Sequence, residues 1–187
     1  MRKKDFIFFW GFLLCLCGCE SIPLFNNEPE NVFESLEGSS EDGYTVKNLT
    51  WGMSEDEVRE SLDRENLETE NDRLIFTSSE DDDLQYTELY SFEDSTRSSL
   101  ITVEYTWSAI SEDSFQAVVN SLYESAAQRM TEPDQGGKLT KEMVETGVEW
   151  TAADNSSVRV MSSTDQNIIS VRISGPREVP KTLMPSN

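Results

Sequence analysis

A run of apolar side chains fixes the longest element of this chain before anything else is read. Phe115, Val118, Val119, Leu122, Tyr123, Ala126 and Met130 fall at i, i+3, i+4, i+7, i+8, i+11 and i+15, the spacing of one face of an α-helix. At about 1.5–3 kcal/mol for each large side chain buried, that stripe has to lie against a core, and it predicts the main core helix. Ser111 stands as N-cap, Glu112 and Asp113 suit the positive helix end, and Ile110 is placed to staple onto Phe115. The helix is expected to stop before Pro133, with Gly136-Gly137 in the loop beyond.

The same kind of start occurs earlier, at Met53-Ser54-Glu55-Asp56-Glu57-Val58. Ser54 and Glu57 match a capping box, and Met53 can staple onto Val58. This helix should run to about Arg64 and bury Val58 and Leu62. Each helix start is followed by three strand-like runs. After the first come Arg73–Thr77, Leu84–Phe92 and Leu100–Trp107; after the second come Thr140–Thr151, Val158–Met161 and Ile168–Ser174. Ile101, Val103, Tyr105 and Trp107 alternate with Thr102, Glu104 and Thr106, while Ile169, Val171 and Ile173 alternate with Ser170 and Arg172. Turn residues separate the runs at Ser78 to Asp82, Asp94-Ser95, Asp154-Asn155 and Asp165 to Asn167. The expected fold is α+β: two α-β-β-β units, 49–107 and 108–174, forming one antiparallel sheet with two helices packed on one face. The other sheet face is expected to be polar and wet. The domain as a whole is expected over 44–176.

Leu49-x-Trp51-Gly52-Met53-Ser54-x-x-x-Val58-x-x-x-Leu62 resembles the opening of small envelope lipoprotein domains. These include the small lipoprotein of the outer-membrane β-barrel assembly machinery and tandem domains shaped like the β-lactamase inhibitor protein. The resemblance implies a short helix ahead of an antiparallel sheet, and a binding or scaffold role without catalysis.

At the other end of the argument stands the amino terminus. Arg2, Lys3 and Lys4 precede an apolar run from Phe6 to Leu16. That run is too short to cross a bilayer, which takes about 20 residues, and it has the layout of a secretory signal. Leu16-Cys17-Gly18-Cys19 resembles the lipobox of bacterial lipoproteins, which implies a signal peptide over 1–18 and a lipid on Cys19. Two acyl chains anchor stably, each buried methylene contributing about 0.8 kcal/mol. Glu20 in place of an aspartate leans toward the outer membrane, with the inner or plasma membrane as the alternative. Residues 19–43 carry seven acids and no basic residue, with Pro23, Pro29, Gly38, Ser39 and Ser40 among them, and read as a disordered, self-repelling tether. Its apolar members, Val32, Phe33 and Leu36 included, could form a short helix or sit on the domain, but are expected instead to lie near the membrane or stay mobile. Residues 177–187 read as a flexible tail.

Composition then removes whole reaction classes. The chain has no histidine, and all three of its cysteines lie at or before Cys19. A mature chain would therefore lack a disulfide, a thiol nucleophile, a thiolate metal site and every histidine-based triad or zinc ligand set. The formal charge is −21, and −23 once residues 1–18 are gone, a balance that repels nucleic acid and anionic headgroups. No cofactor or metal site is expected. Glu80-Asp81-Asp82-Asp83 offers oxygen ligands for Ca²⁺ but lacks the alternating spacing and glycine of a calcium loop, so a solvated hairpin is the plainer reading. Trp51, Tyr105, Trp107 and Trp150 are the candidates for partner binding, against the plainer reading that such rings pack between sheet and helices. The expected function is a non-catalytic protein-interaction or envelope-maintenance module with an envelope protein as partner. The alternatives are a carboxylate-dependent glycan hydrolase and a small-ligand binder.

Overall fold

A computed structural model describes residues 30–81, 83–93, 96–136 and 147–177, without the side chains of 30, 31, 80 and 81. Both expected helix starts form as the capping chemistry requires. Helix α2 (Glu55–Leu62) is capped by Ser54, whose side chain accepts from the Glu57 amide while Glu57 reaches back to the Ser54 amide. It ends earlier than expected, because Asp63 takes a left-handed conformation (φ 45°) that closes the last turn. Gly52, at φ +93°, makes the tight turn that leads into it. Helix α3 (Glu112–Arg129) is capped by Ser111 and buries Phe115, Val118, Val119, Leu122 and Ala126. Tyr123 and Met130 sit at the margin of that stripe, half-buried. The Ile110 staple does not form: Ile110 is 75% exposed, its amide donating to the carbonyl of Asp83.

The strands form one seven-stranded antiparallel sheet. In chain order they are β3 (Glu68–Glu70), β4 (Arg73–Asp81), β5 (Leu84–Phe92), β6 (Leu100–Ala109), β7 (Val148–Thr151), β8 (Ser157–Ser163) and β9 (Ile168–Ser174). Their order across the sheet is β3-β4-β5-β6-β9-β8-β7. Two three-stranded meanders, β4-β5-β6 and β9-β8-β7, thus meet at the β6–β9 pair, each preceded in the chain by its helix. This is the expected α+β arrangement, with β3 added at one edge. One cross-strand layer runs Leu74, Tyr90, Val103, Ile173 and Val158, and every member is buried. Helix α3 covers this face over β6 and β9. Among the described residues no helix is long and apolar enough to cross a membrane.

Three expectations fail for physical reasons. Ile101 does not share the face of Val103, Tyr105 and Trp107. The pairing slips between Ser91↔Thr102 and Phe92↔Leu100, so a bulge turns Leu100 inward (1% exposed) and Ile101 outward (41%). The segment Ser78 to Asp81, expected as a turn, continues β4 through pairing with β5. The stretch from residue 30 to 43, expected as disordered tether, belongs to the domain. Helix α1 (Glu30–Ser35) leads into a hairpin of β1 (Leu36–Ser39) and β2 (Gly43–Val46), which makes a second, two-stranded sheet. The spacing of Val32, Phe33 and Leu36 puts all three on one side, and all are buried. Helix α1 lies against α3, and Phe33 meets Trp150 edge-on at 6.4 Å between ring centroids. Burying these three outweighs the acidic composition around them. Residues 1–29, including Cys19 and the rest of the tether, and 178–187 lie outside the described residues, as do 137–146, where the run from Thr140 was expected to begin.

Phe115, 3% exposed under α3, gives a direct check on this packing. Phe115→Ala is expected to cost about 3–5 kcal/mol in urea denaturation. A loss under about 0.5 kcal/mol, the range of ordinary surface substitutions, would mean that the stripe is not core.

Candidate functional site

Three of the four aromatic candidates are buried, and the fourth is half-buried. Tyr105, Trp107 and Trp150 are 3%, 1% and 2% exposed, because alternation sends each of them to the sheet face beneath the helices. Trp51 is half-buried. Its indole N–H donates to the Tyr44 carbonyl at 2.7 Å, and its ring lies against Gly175, where a Cβ would stand 2.7 Å from the Trp51 Cδ2. Trp150 likewise spends its indole N–H on the Thr131 carbonyl at 2.8 Å. The three buried rings present no free face to a protein partner, while Trp51 keeps part of its surface open. Among the described residues no group of His, Cys, Asp and Glu is arranged to hold a metal ion. The side chains of Glu80 to Asp82 lie outside them.

Burial instead singles out a residue that the sequence reading passed over. Glu88, in the middle of β5, is 1% exposed and shares the core face with Tyr86 and Tyr90 on its own strand. The Tyr86 hydroxyl donates to Glu88 Oε1 at 2.8 Å, and the Tyr90 hydroxyl donates to Oε2. Arg64, just past the end of α2, closes the group with an Nη1 to Oε1 contact of 2.7 Å, its guanidinium lying 4.5 Å over the Phe76 ring. Tyr105 is directly opposite Glu88 in the β5–β6 register, and its ring stacks near that of Tyr86. Burial first, and the Glu88 charge second, push the Tyr86, Tyr90 and Tyr105 hydroxyls above the ordinary phenol range.

Chemically, this is a charge held and satisfied. Both Glu88 oxygens accept hydrogen bonds, and the acid sits beneath the helical layer, away from any open cleft. A glycan hydrolase of the two-carboxylate kind needs an acid that can reach the scissile bond from a cleft, and Glu88 does not meet that demand. A signal for it was present: Tyr86, Glu88, Tyr90 and Phe92 alternate, which places one acid inside an aromatic stripe.

A cleft of about 240 Å³ lies at the end of α3, lined by Tyr123, Ala126, Met130, Thr131, Pro133 and Trp150. It is smaller than the roughly 300–1,000 Å³ of small-molecule sites and open to solvent. Compared with family models, with curated proteins and with solved structures, the chain matches none.

Proposed function

We propose that the protein is a lipid-anchored member of the bacterial cell envelope, held close to its bilayer, and that its domain is a non-catalytic interaction module.

 The observation that carries the reading is the shortness of the connection. Glu30, where α1 begins, is eleven residues after Cys19 in the lipobox-like segment. Fully extended, that connection spans no more than about 40 Å, roughly half the reach of a tether running to residue 43. A lipid on Cys19 would hold the domain within that distance of the membrane surface. Glu20 favours the outer membrane. The interaction reading draws on Glu88: it is the one fully buried charged side chain among the described residues, and its hydrogen bonds serve the fold.

Cys19→Ala tests the anchor. The variant is expected to accumulate as unprocessed precursor or to leave the membrane fraction, and the wild type to carry acyl chains on Cys19 by mass spectrometry. A variant that is processed normally and stays with the membrane would refute the lipid assignment.

A further inference from the structure

The two edges of the large sheet are finished differently. Beyond β7 the edge is closed. The amides of Asp134 and Gln135 both donate to the Glu149 carbonyl, at 2.9 and 3.2 Å, and the Glu149 amide donates back to the Gln135 carbonyl at 3.0 Å. The Thr151 amide donates to the Asp134 carboxylate at 2.7 Å. At the other edge β3 covers only the start of β4, pairing with Arg73, Leu74 and Ile75. Asn66, at φ 66°, precedes β3, and its left-handed backbone takes the incoming chain off the line of the strand. From Phe76 onward β4 therefore has no strand outside it among the described residues. The bond from the Phe92 amide to the Asp72 carbonyl, at 3.1 Å, fixes which residues face which way. Leu74, Phe76 and Ser78 exchange their backbone bonds with β5, while Arg73, Ile75, Thr77 and Ser79 turn theirs outward. Strand β3 takes the first two of these. Thr77 and Ser79 keep outward amides and carbonyls with no partner among the described residues, and both residues are exposed. A register shift between Ser79 and Asp81 ends the open run there.

We propose that this open edge takes an extended, lysine- or arginine-bearing segment of a partner protein as an added strand, hydrogen-bonded to Thr77 and Ser79. The proposal rests on the interaction-module reading and names the chemistry of the partner. Unpaired positions on an exposed edge are a template for one more strand. In strand addition the main chain supplies affinity and alternate side chains supply choice. Charge complementarity sets the sign of the partner. Residues 63 to 83 hold nine acids against Arg64 and Arg73. Arg64 is turned inward to Glu88, and Arg73 stands opposite Glu70. On the helix side of the sheet, an added strand would bring its side chains beside Phe76, half-buried under the Arg64 guanidinium, so an apolar residue fits there. A second copy of this chain fits less well. Two β4 edges related by a two-fold axis through Ser78 would pair Thr77 with Ser79 of the second copy. The next pair would set Asp81 against Ile75, whose outer side β3 already holds. That arrangement would also bring two chains of formal charge −21 together at their acidic stretches.

The test uses the full chain in non-ionic detergent micelles, titrated with three synthetic peptides. The first alternates lysine with threonine and valine. The second replaces each lysine by glutamate. The third is the lysine peptide N-methylated throughout, which keeps the charge and removes the N–H donors. The lysine peptide is expected to bind at least about tenfold more tightly than the other two. It is also expected to slow hydrogen exchange of the Thr77 and Ser79 amides at least about tenfold, leaving the Phe76 and Ser78 amides, already bonded to β5, as they were. Thr77→Pro removes an outward donor without breaking a bond to β5. It is expected to weaken binding of the lysine peptide at least about tenfold with near-UV circular dichroism unchanged. Should that variant fail to fold, the N-methylated peptide and the wild-type exchange rates decide. No binding at millimolar lysine peptide, equal binding of the N-methylated peptide, or binding without protection of Thr77 and Ser79 would overturn the proposal. Protection of these two amides that rises with protein concentration alone would also overturn it, and would make the edge a contact between copies. Cys19→Ala is expected to bind the peptide as the wild type does, so loss of the anchor and loss of this site read out separately.

Discussion

Replacing Arg64 by methionine is expected to destabilise the domain by about 3–5 kcal/mol, the cost of removing one partner from a buried ion pair. Methionine keeps much of the stem that lies along Phe76 and removes the guanidinium. Glu88 then stays beneath the helices, 1% exposed, with two tyrosine hydroxyls and no cation at 2.7 Å. Against a total stability of about 5–15 kcal/mol, that loss takes a large share of the fold. Glu88→Gln serves as the control, because it keeps the shape and an acceptor while removing the charge. In the Glu88→Gln background, Arg64→Met should cost less than half as much, since the lost partner no longer leaves a bare carboxylate. Urea denaturation of the four proteins measures the coupling. Equal costs in both backgrounds would show that Arg64 acts through packing on Phe76 and through other contacts, with Glu88 indifferent to it.

How far the sequence reaches depends on whether the decisive contact is local. Leu84–Phe92 and Ile168–Ser174 are strands with the limits expected, because period-two alternation and flanking turn residues are properties of the segments themselves. The capping box at Ser54 is equally local and equally legible. Ile101 is misplaced by reading alone, since the bulge that turns it outward exists only in the pairing of β6 with β5. Phe33 is missed for a related reason: its partner Trp150 is more than a hundred residues away, and the acids around it speak for disorder. The polar face was visible strand by strand, as Thr102, Glu104, Thr106 and Arg172. That Arg159 stands beside Arg172 depends on the β8–β9 register. Arg64 reaches Glu88 from the end of a helix, a meeting no spacing announces.

Raising the pH above about 10, the ordinary tyrosine value, is expected to unfold the domain at a rate set by the three phenols around Glu88. Tyr86, Tyr90 and Tyr105 have pKa values raised by burial and then by the Glu88 charge. In the unfolded chain each loses its proton near pH 10, while in the fold each keeps it. The folded state therefore binds more protons over that window, and stability falls as pH rises. Below pH 10 the contribution is complete, and above it each phenol removes about 1.4 kcal/mol per pH unit, or about 4 kcal/mol per unit for the three together. The chain has five tyrosines, so a pH titration of phenolate absorbance should show most of its amplitude arriving together with the loss of near-UV circular dichroism. Tyr105→Phe removes one titrating hydroxyl without touching the bonds to Glu88, and should make the alkaline slope shallower by about 1.4 kcal/mol per unit. If all five phenols ionise near pH 10 with the fold intact, the hydroxyls are reached by water and the enclosure around Glu88 is open.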